Sequence, residues 1–157
     1  MASNYMTRGQ YDRHLGQIRI LEEKLVEARL KVGEAAKHGD LSENAEYDAA
    51  REEVEFLTGR YEELQTALVG MQIVDGRRTD PKSVTIGKAV TLRDRASGES
   101  FRYRVVGGGW VDASQQEISY RAPLAAGLIG RKQGEVVDLE VPGGRRTVEI
   151  VSIEVYE

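Results

Sequence analysis

The sequence has 157 residues, of which 31% are charged, and its formal net charge is -4. A net negative charge gives no general affinity for nucleic acids or anionic membranes, because both are negatively charged themselves. The absence of cysteine excludes disulfides and thiolate metal sites. No apolar run approaches the roughly 18 residues of a membrane span, and the N-terminus lacks the apolar region of a signal peptide, so we expect a cytoplasmic protein with no membrane partner.

The first half of the chain has the pattern of two amphipathic helices. There is no proline between Leu15 and Met71, and apolar residues recur at spacings of three and four. They fall at positions 15, 18, 21, 25, 28, 32 and 35, and again at 47, 50, 54, 57, 61, 64, 68 and 71. The segment His38–Asn44 separates the two series with a glycine and several residues typical of helix caps, so the chain should reverse there. The pattern predicts an antiparallel coiled-coil hairpin, with a compact helical bundle as the alternative.

Beyond Asp75 the pattern changes to short alternating or β-branched runs, which are typical of strands. The predicted strands are Ala89–Asp94, Ser100–Gly107, Glu135–Val141 and Arg146–Val155. Ser97-Gly98 and Pro142-Gly143-Gly144 should close hairpins, and Gly107–Gly109 reads as another hairpin turn. A short helix is expected over Ala122–Ile129, because Pro123 suits a first helical turn and Gly130 a C-terminal stop.

These elements predict an α+β chain with two parts. Residues 1–75 should form the hairpin, with its tip near residues 38–46, and residues 76–157 an antiparallel sheet domain with one short helix. The polar, proline-containing segment Gly76–Ser83 lies at the boundary, as a linker or a strand-edge loop would.

Two carboxylates, Asp40 and Glu43, stand three residues apart just before the second apolar series. Glu43 lies four positions before Tyr47, and Asp40 lies three positions before Glu43. Both acids therefore continue the register of the seam if the helix extends that far. An Asp at the N-cap with a Glu at N3 is also a capping box, and Ser42 is a competing cap. Two carboxylates fall short of a closed metal site, but Mg²⁺ commonly takes further ligands from phosphate or a second macromolecule. Spacing alone leaves helix capping and a shared metal site open.

The tip residues HGDLSENAEY (38–47), followed by Ala49-Ala50-Arg51-Glu52-Glu53, closely resemble the tip signature of bacterial Gre transcript cleavage factors, especially those of the GreA type. The similarity extends along both halves of the chain. It includes Met6-Thr7, Gly9, Leu15, Pro123-Leu124, Leu128-Ile129-Gly130, Gly134 and Val141-Pro142-Gly143-Gly144. The resemblance therefore spans nearly the whole chain.

The resemblance implies a coiled-coil hairpin and an FKBP-like domain in a monomeric factor whose partner is the elongation complex of bacterial RNA polymerase. In that family the hairpin enters the secondary channel of the polymerase while the globular domain docks at its rim. The tip acids, matched here by Asp40 and Glu43, help hold a second Mg²⁺ in the polymerase active site, so the factor binds no cofactor alone and is not an enzyme by itself. Backtracked RNA is then hydrolysed near its 3′ end, which rescues arrested complexes.

Further roles follow from the same resemblance. Arg51, with Asn44 and Tyr47, is expected to position the nascent RNA 3′ end, although an i,i+4 contact of Arg51 with Glu55 or Tyr47 is the structural alternative. The family's docking loop for the polymerase is matched by three consecutive residues, Arg121, Ala122 and Pro123. Serine is more common in the family where Ala122 stands, and an Arg-Pro-Glu segment where the first helix reads Leu25-Val26-Glu27-Ala28.

Two other functions stay open at the level of sequence. A Gre-like protein that blocks the channel would inhibit the polymerase without cleavage, but the tip differs in such inhibitors, whereas this tip keeps both acids. A prolyl isomerase or chaperone function of the FKBP-like half is the other alternative, and its strands show no obvious aromatic-lined proline pocket.

Overall fold

The computed structural model describes residues 4–38, 44–108 and 111–156. Within these ranges the chain forms three α-helices and seven β-strands. In chain order they are β1 (Asn4–Thr7), α1 (Arg8–Ala36), α2 (Ala45–Leu68), β2 (Met71–Val74), β3 (Lys88–Asp94), β4 (Ser100–Val106), β5 (Glu117–Ser119), α3 (Pro123–Leu128), β6 (Val136–Val141) and β7 (Gly144–Val155). Contacts divide the chain into two compact units, Met1–Tyr11 with Gly70–Glu157 and, separately, Asp12–Val69. None of the described helices is long and apolar enough to cross a membrane.

An apolar seam between α1 and α2 holds the unit Asp12–Val69 together. Its members are Leu21, Leu25, Ala28 and Leu57, with Val54, Tyr61 and Leu64 packed against them. Two polar contacts mark an antiparallel register, because the Tyr61 hydroxyl donates to Glu22 at 3.1 Å and Lys31 lies 3.7 Å from Glu53. The predicted antiparallel hairpin is thus confirmed. The segment Leu25–Ala28 continues α1 without a break and contributes both of its end residues to the seam.

The seam does not begin where the apolar pattern begins. Leu15 is 37% exposed, whereas Ile18 and Leu21 are buried. The helix itself starts at Arg8, upstream of the pattern. The first turns of α1 are therefore specified by capping and by contacts within the unit Met1–Tyr11 with Gly70–Glu157, and not by the apolar pattern.

The second unit is built on a five-stranded sheet in the order β5-β4-β3-β7-β6, and α3 packs against β6. Hairpins join β3 to β4 and β6 to β7 at the predicted glycine turns. The predicted α+β arrangement with one short helix is confirmed. Its core contains Val84, Val90, Leu92, Val105, Leu128 and Ile150.

The sheet departs from the antiparallel prediction at one edge. Strand β5 pairs with β4 in parallel, so the sheet is mixed and the chain crosses over after β4 instead of turning back. A hairpin turn at Gly107–Gly109 is therefore wrong; Gly109 itself lies outside the described residues. The backbone after β4 turns to β1 instead, where the Gly108 N–H donates to the Tyr5 carbonyl at 2.7 Å.

A short parallel pair of strands, like β5, is not predicted by the sequence pattern. Strand β1 pairs with β2 in register, from Asn4 opposite Met71 to Thr7 opposite Val74. Four residues are too few for an alternating pattern to stand out, and Met71 also continues the helical series. The pair brings the start of α1 into the compact unit that contains the large sheet.

Gln10 is fully buried and joins the first turn of α1 to the end of β4. Its N–H donates to Thr7 Oγ1 at 3.1 Å, and its Oε1 accepts from the Thr7 N–H at 3.0 Å, which is a reciprocal capping box. The same Oε1 accepts from the Gly107 N–H at 2.8 Å, and Nε2 donates to the Gly107 carbonyl at 3.2 Å. The Thr-x-x-Gln spacing is the sequence signal from which this cap could have been predicted.

The segment between β2 and β3 is a hydrogen-bonded loop. Asp75 caps the 3₁₀ turn Gly76–Arg78, and its hydrogen bonds from the Arg77 guanidinium and then the Arg77 backbone N–H hold the pKa of Asp75 below its usual value. Lys88 is buried and donates from Nζ to the Asp80 carbonyl at 2.7 Å, while burial lowers the pKa of its ammonium group. Of the two sequence interpretations, linker or strand-edge loop, these contacts favour the loop.

Substitution of Gly107 by alanine should be severely destabilising. A Cβ at this position would lie 1.9 Å from the Tyr5 carbonyl oxygen and 2.2 Å from Met6 Cα, and backbone cannot yield as a flexible side chain would. We expect Gly107→Ala to lower the free energy of unfolding by about 3 kcal/mol or more in urea denaturation. Gly108→Ala is the matched control, because its Cβ would meet only the Tyr5 oxygen at 4.0 Å. Equal stability of the two variants would contradict the close approach.

Candidate functional site

The two tip carboxylates, Asp40 and Glu43, lie outside the described residues, which resume at Asn44. The neighbouring residues nevertheless show how α2 begins. Its N-cap is Asn44, in an extended conformation, and the Asn44 Oδ1 accepts from the Tyr47 N–H at 3.1 Å. The interpretation of Asp40 as the cap of this helix is therefore wrong, because Asn44 occupies that position. Helix α2 starts at Ala45, and the expectation that Asp40 and Glu43 continue the register of the seam lies outside the described residues.

The amide of Asn44 also contacts the end of the preceding helix. Its Nδ2 donates to the Ala35 carbonyl at 2.7 Å. That carbonyl belongs to the last turn of α1, where carbonyl groups have no partner within the helix. The side chain thus satisfies one backbone group at each end of the tip.

Arg51 and Tyr47, the other residues expected to position RNA, lie on the first turns of α2. Arg51 is well exposed and its guanidinium lies 3.7 Å from Glu55, so the predicted i,i+4 contact is present. Exposed pairs of this kind contribute only about 0.3–0.5 kcal/mol, which leaves the guanidinium available to an anionic ligand. Tyr47 is half-buried. Their proposed contacts with RNA remain predictions.

The predicted docking residues Arg121, Ala122 and Pro123 form the entry to α3. Ala122 is the N-cap residue and makes no side-chain capping bond, and Pro123 follows at the first helical position. Alanine lacks the hydroxyl that a serine would offer there, so this six-residue helix begins without a side-chain cap. The arginine side chain and the proline ring are both exposed.

Arg121 is held by contacts with residues on both sides of the loop. Its Nε donates to the Tyr120 hydroxyl at 2.9 Å, and its guanidinium lies 5.3 Å from the centre of the Tyr120 ring. Its NH2 group donates to Asn4 Oδ1 at 3.0 Å, and Tyr5 packs edge-on against Tyr120 with ring centres 6.1 Å apart. Strand β1 therefore contributes to the loop, a contribution that sequence reasoning missed because Asn4 and Arg121 are far apart in the chain.

A cavity of about 260 Å³ also opens on the sheet unit. Its lining includes Phe101 and Tyr103 on β4, with Leu124, Leu139, Pro142 and Arg146. The strands show no obvious aromatic-lined proline pocket at the level of sequence, and the fold brings two aromatic residues to the wall of this cavity. The two aromatic residues come from one strand, and the other lining residues become adjacent to them only in the folded sheet.

Comparison with known proteins gives the same family for both halves of the chain. Residues 4–73 match the family described as "Transcription elongation factor, N-terminal", and residues 79–155 match "Transcription elongation factor, GreA/GreB, C-term". Transcription elongation factor GreA of Paracoccus denitrificans is 40% identical over 149 residues, which cover 94% of this chain and 95% of that protein. The GreA of Methylococcus capsulatus is 40% identical over 135 residues, which cover 85% and 84% of the two chains.

Among solved structures, the crystal structure of GreA factor homolog 1 (Gfh1) of Thermus thermophilus is 25% identical and covers 98% of this chain and 99% of its own. Its TM-score is 0.45, so the assignment depends on the sequence matches. Those matches cover both compact units and agree with the tip signature. They show that the chain belongs to the GreA/GreB family of transcription elongation factors.

Proposed function

We propose that this chain binds bacterial RNA polymerase and stimulates the hydrolysis of backtracked RNA in arrested elongation complexes. The hairpin reaches the polymerase active site through the secondary channel, where Asp40 and Glu43 serve as ligands of a shared Mg²⁺. The observation that carries the proposal is the start of α2: Asn44 caps this helix, so the two acids preceding it are not needed as its cap.

The chemistry follows from the donor set. Two carboxylates suit Mg²⁺, but its octahedral shell needs further oxygen ligands, which polymerase side chains, water and an RNA phosphate would supply. When bound, the cation would stabilise the deprotonated attacking water and the charge on the phosphate as the bond from phosphorus to the 3′ oxygen breaks, so the retained RNA ends in a 3′ hydroxyl and the released fragment keeps the phosphate. The chain contributes ligands and their orientation, so it acts on the polymerase and is not an enzyme by itself.

The dimensions and charge of the helices support this role. Helices α1 and α2 have 29 and 24 residues, and at 1.5 Å per residue the shorter one extends about 36 Å. Residues 1–74 carry 9 basic and 14 acidic side chains, a net charge of -5. An acidic arm is attracted to a cation site and has no general affinity for RNA, so it can approach the active site without competing for the transcript.

Removal of either tip acid should abolish stimulation while preserving binding. We expect Asp40→Ala and Glu43→Ala each to reduce the rate of RNA release from a backtracked complex by about 100-fold, because each variant lacks a metal ligand. Glu46→Ala is the matched control, since Glu46 is an exposed acid in the first turn of α2 that the proposal does not use. The proposal fails if the tip variants cleave at the wild-type rate, or if the control loses as much activity.

The docking loop should govern affinity rather than the chemical step. We expect Arg121→Ala to raise the factor concentration that gives half-maximal cleavage by about five-fold or more, with the same maximal rate at saturation. Arg145→Ala is a suitable control, because Arg145 is an exposed arginine of the same unit that is paired with Glu140. A lowered maximal rate with unchanged half-saturation would contradict a docking role for Arg121.

The same cleavage assay separates this function from a channel-blocking inhibitor, which would slow elongation and release no RNA.

The cavity beside Phe101 and Tyr103 favours peptide binding as a second candidate function. A prolyl isomerase assay tests it. The assay requires the full chain, because β1 and β2 lie outside residues 76–157 and β1 contacts Gly107 and Gly108. Under the proposed function we expect no acceleration of isomerisation.

A further inference from the structure

We propose that Asn44 is a positioning residue, whose side chain fixes the distance between the two chain ends from which the tip segment 39–43 departs. Its effect on RNA cleavage rests on the proposed function, whereas its effect on the hairpin does not. The amide makes two hydrogen bonds with different helices, and each part of the amide has a separate task.

The acceptor half of the amide serves α2. Asn44 Oδ1 accepts from the Tyr47 N–H at 3.1 Å. The Tyr47 N–H is one of the first four N–H groups of α2, which lack a partner within the helix. This bond alone is an ordinary N-cap, which Ser or Asp can make as well as Asn.

The donor half of the amide serves α1. Asn44 Nδ2 donates to the Ala35 carbonyl at 2.7 Å, and the same carbonyl accepts from the His38 N–H at 3.1 Å as the chain leaves the helix. Neither Ser nor Asp can make this second bond, because the serine hydroxyl is too short to span it and an ionised carboxylate has no proton to donate. Asparagine therefore combines a cap with a bridge between the helices.

The hydrogen bond between Asn44 and Ala35 restricts the distance that the connection between α1 and α2 can span. Eight residue steps separate Ala36 from Asn44, and an extended chain of that length spans up to about 28 Å. The Nδ2 contact brings the two helix ends to within a side chain of each other. Ala35 and Ala50 are both buried, and their small side chains allow the helices to approach closely enough for this short amide to reach.

Farther from the tip, the helices are also linked by the ion pair between Lys31 and Glu53, whose side chains are 61% and 46% exposed. An exposed ion pair of this kind contributes little and holds no fixed geometry. Of these two polar contacts between described residues, the Asn44 bridge is the one that limits where the chain enters and leaves the tip. Metal ligands must be held within about 0.5 Å of the productive geometry, so loosening these ends should weaken the shared site without affecting docking.

Cleavage assays with Asn44→Ser and Asn44→Asp test the proposal, since both variants keep an N-cap and lose the bridge. We expect each to raise the Mg²⁺ concentration for half-maximal cleavage by about five-fold or more, with wild-type helicity and polymerase affinity. Asn44→Ser leaves the local charge unchanged and Asn44→Asp adds a negative charge, so a defect shared by both variants is due to the lost donor. Lys31→Ala is the control, because it breaks the interhelical ion pair with Glu53 and should leave the Mg²⁺ dependence unchanged.

A distance measurement tests the bridge without any activity. The chain contains no cysteine, so spin labels can be placed specifically by Lys37→Cys and Asp48→Cys, both at exposed positions. We expect the distance distribution between the labels to broaden and shift to longer values in both Asn44 variants. Distributions identical to wild type would overturn the proposal, as would a loss of helicity that accounts for the cleavage defect. If the wild-type factor stimulates no cleavage but the distributions differ, the proposed function fails and the bridge stands.

Discussion

The hydrogen bonds of the buried Gln10 amide are the constraint on which the arrangement of the sheet unit depends. This one side chain completes the capping box of α1 with Thr7 and pairs with both backbone groups of Gly107 at the end of β4. Without it, buried N–H groups would lose their partners, at a cost of about 1–3 kcal/mol each. The same junction contains the close backbone approach between β1 and Gly107, and β1 pairs in parallel with β2.

Both ends of α1 use the same physical device. At the start of the helix, the Gln10 amide accepts from the Thr7 N–H and from the distant Gly107 N–H. At its end, the Asn44 amide accepts from α2 and donates to α1. The seam between the two helices is narrow, so most of their side chains remain in contact with water. Polar contacts at the helix ends therefore fix the positions of these ends, which a two-helix seam cannot do alone.

The two compact units divide the proposed task between them. The unit that contains the sheet presents Arg121 on a loop where Asn4 and Tyr120 hold its side chain, so the residue proposed for docking is positioned by the fold itself. The hairpin unit exposes apolar side chains such as Val26, Leu30 and Phe56, and the acids of the proposed metal site lie between its two helices in the sequence. Affinity and chemistry can then be changed independently, because the residues for each lie in different units.

By itself, the sequence determined the helical hairpin, the strands of the two β-hairpins and the short helix, because each has a local signal. These signals are a period of three to four, alternation, and proline and glycine at fixed positions. It also determined the family, through the tip signature around Asp40 and Glu43. Tertiary structure alone decided that β5 pairs in parallel, that β1 and β2 form a sheet and that Asn4 supports Arg121, since these contacts join residues distant in the chain. It also decided the cap of α2, because Asp40, Ser42 and Asn44 are all good caps, and Asn44 is the one whose amide is seen to bond both helices.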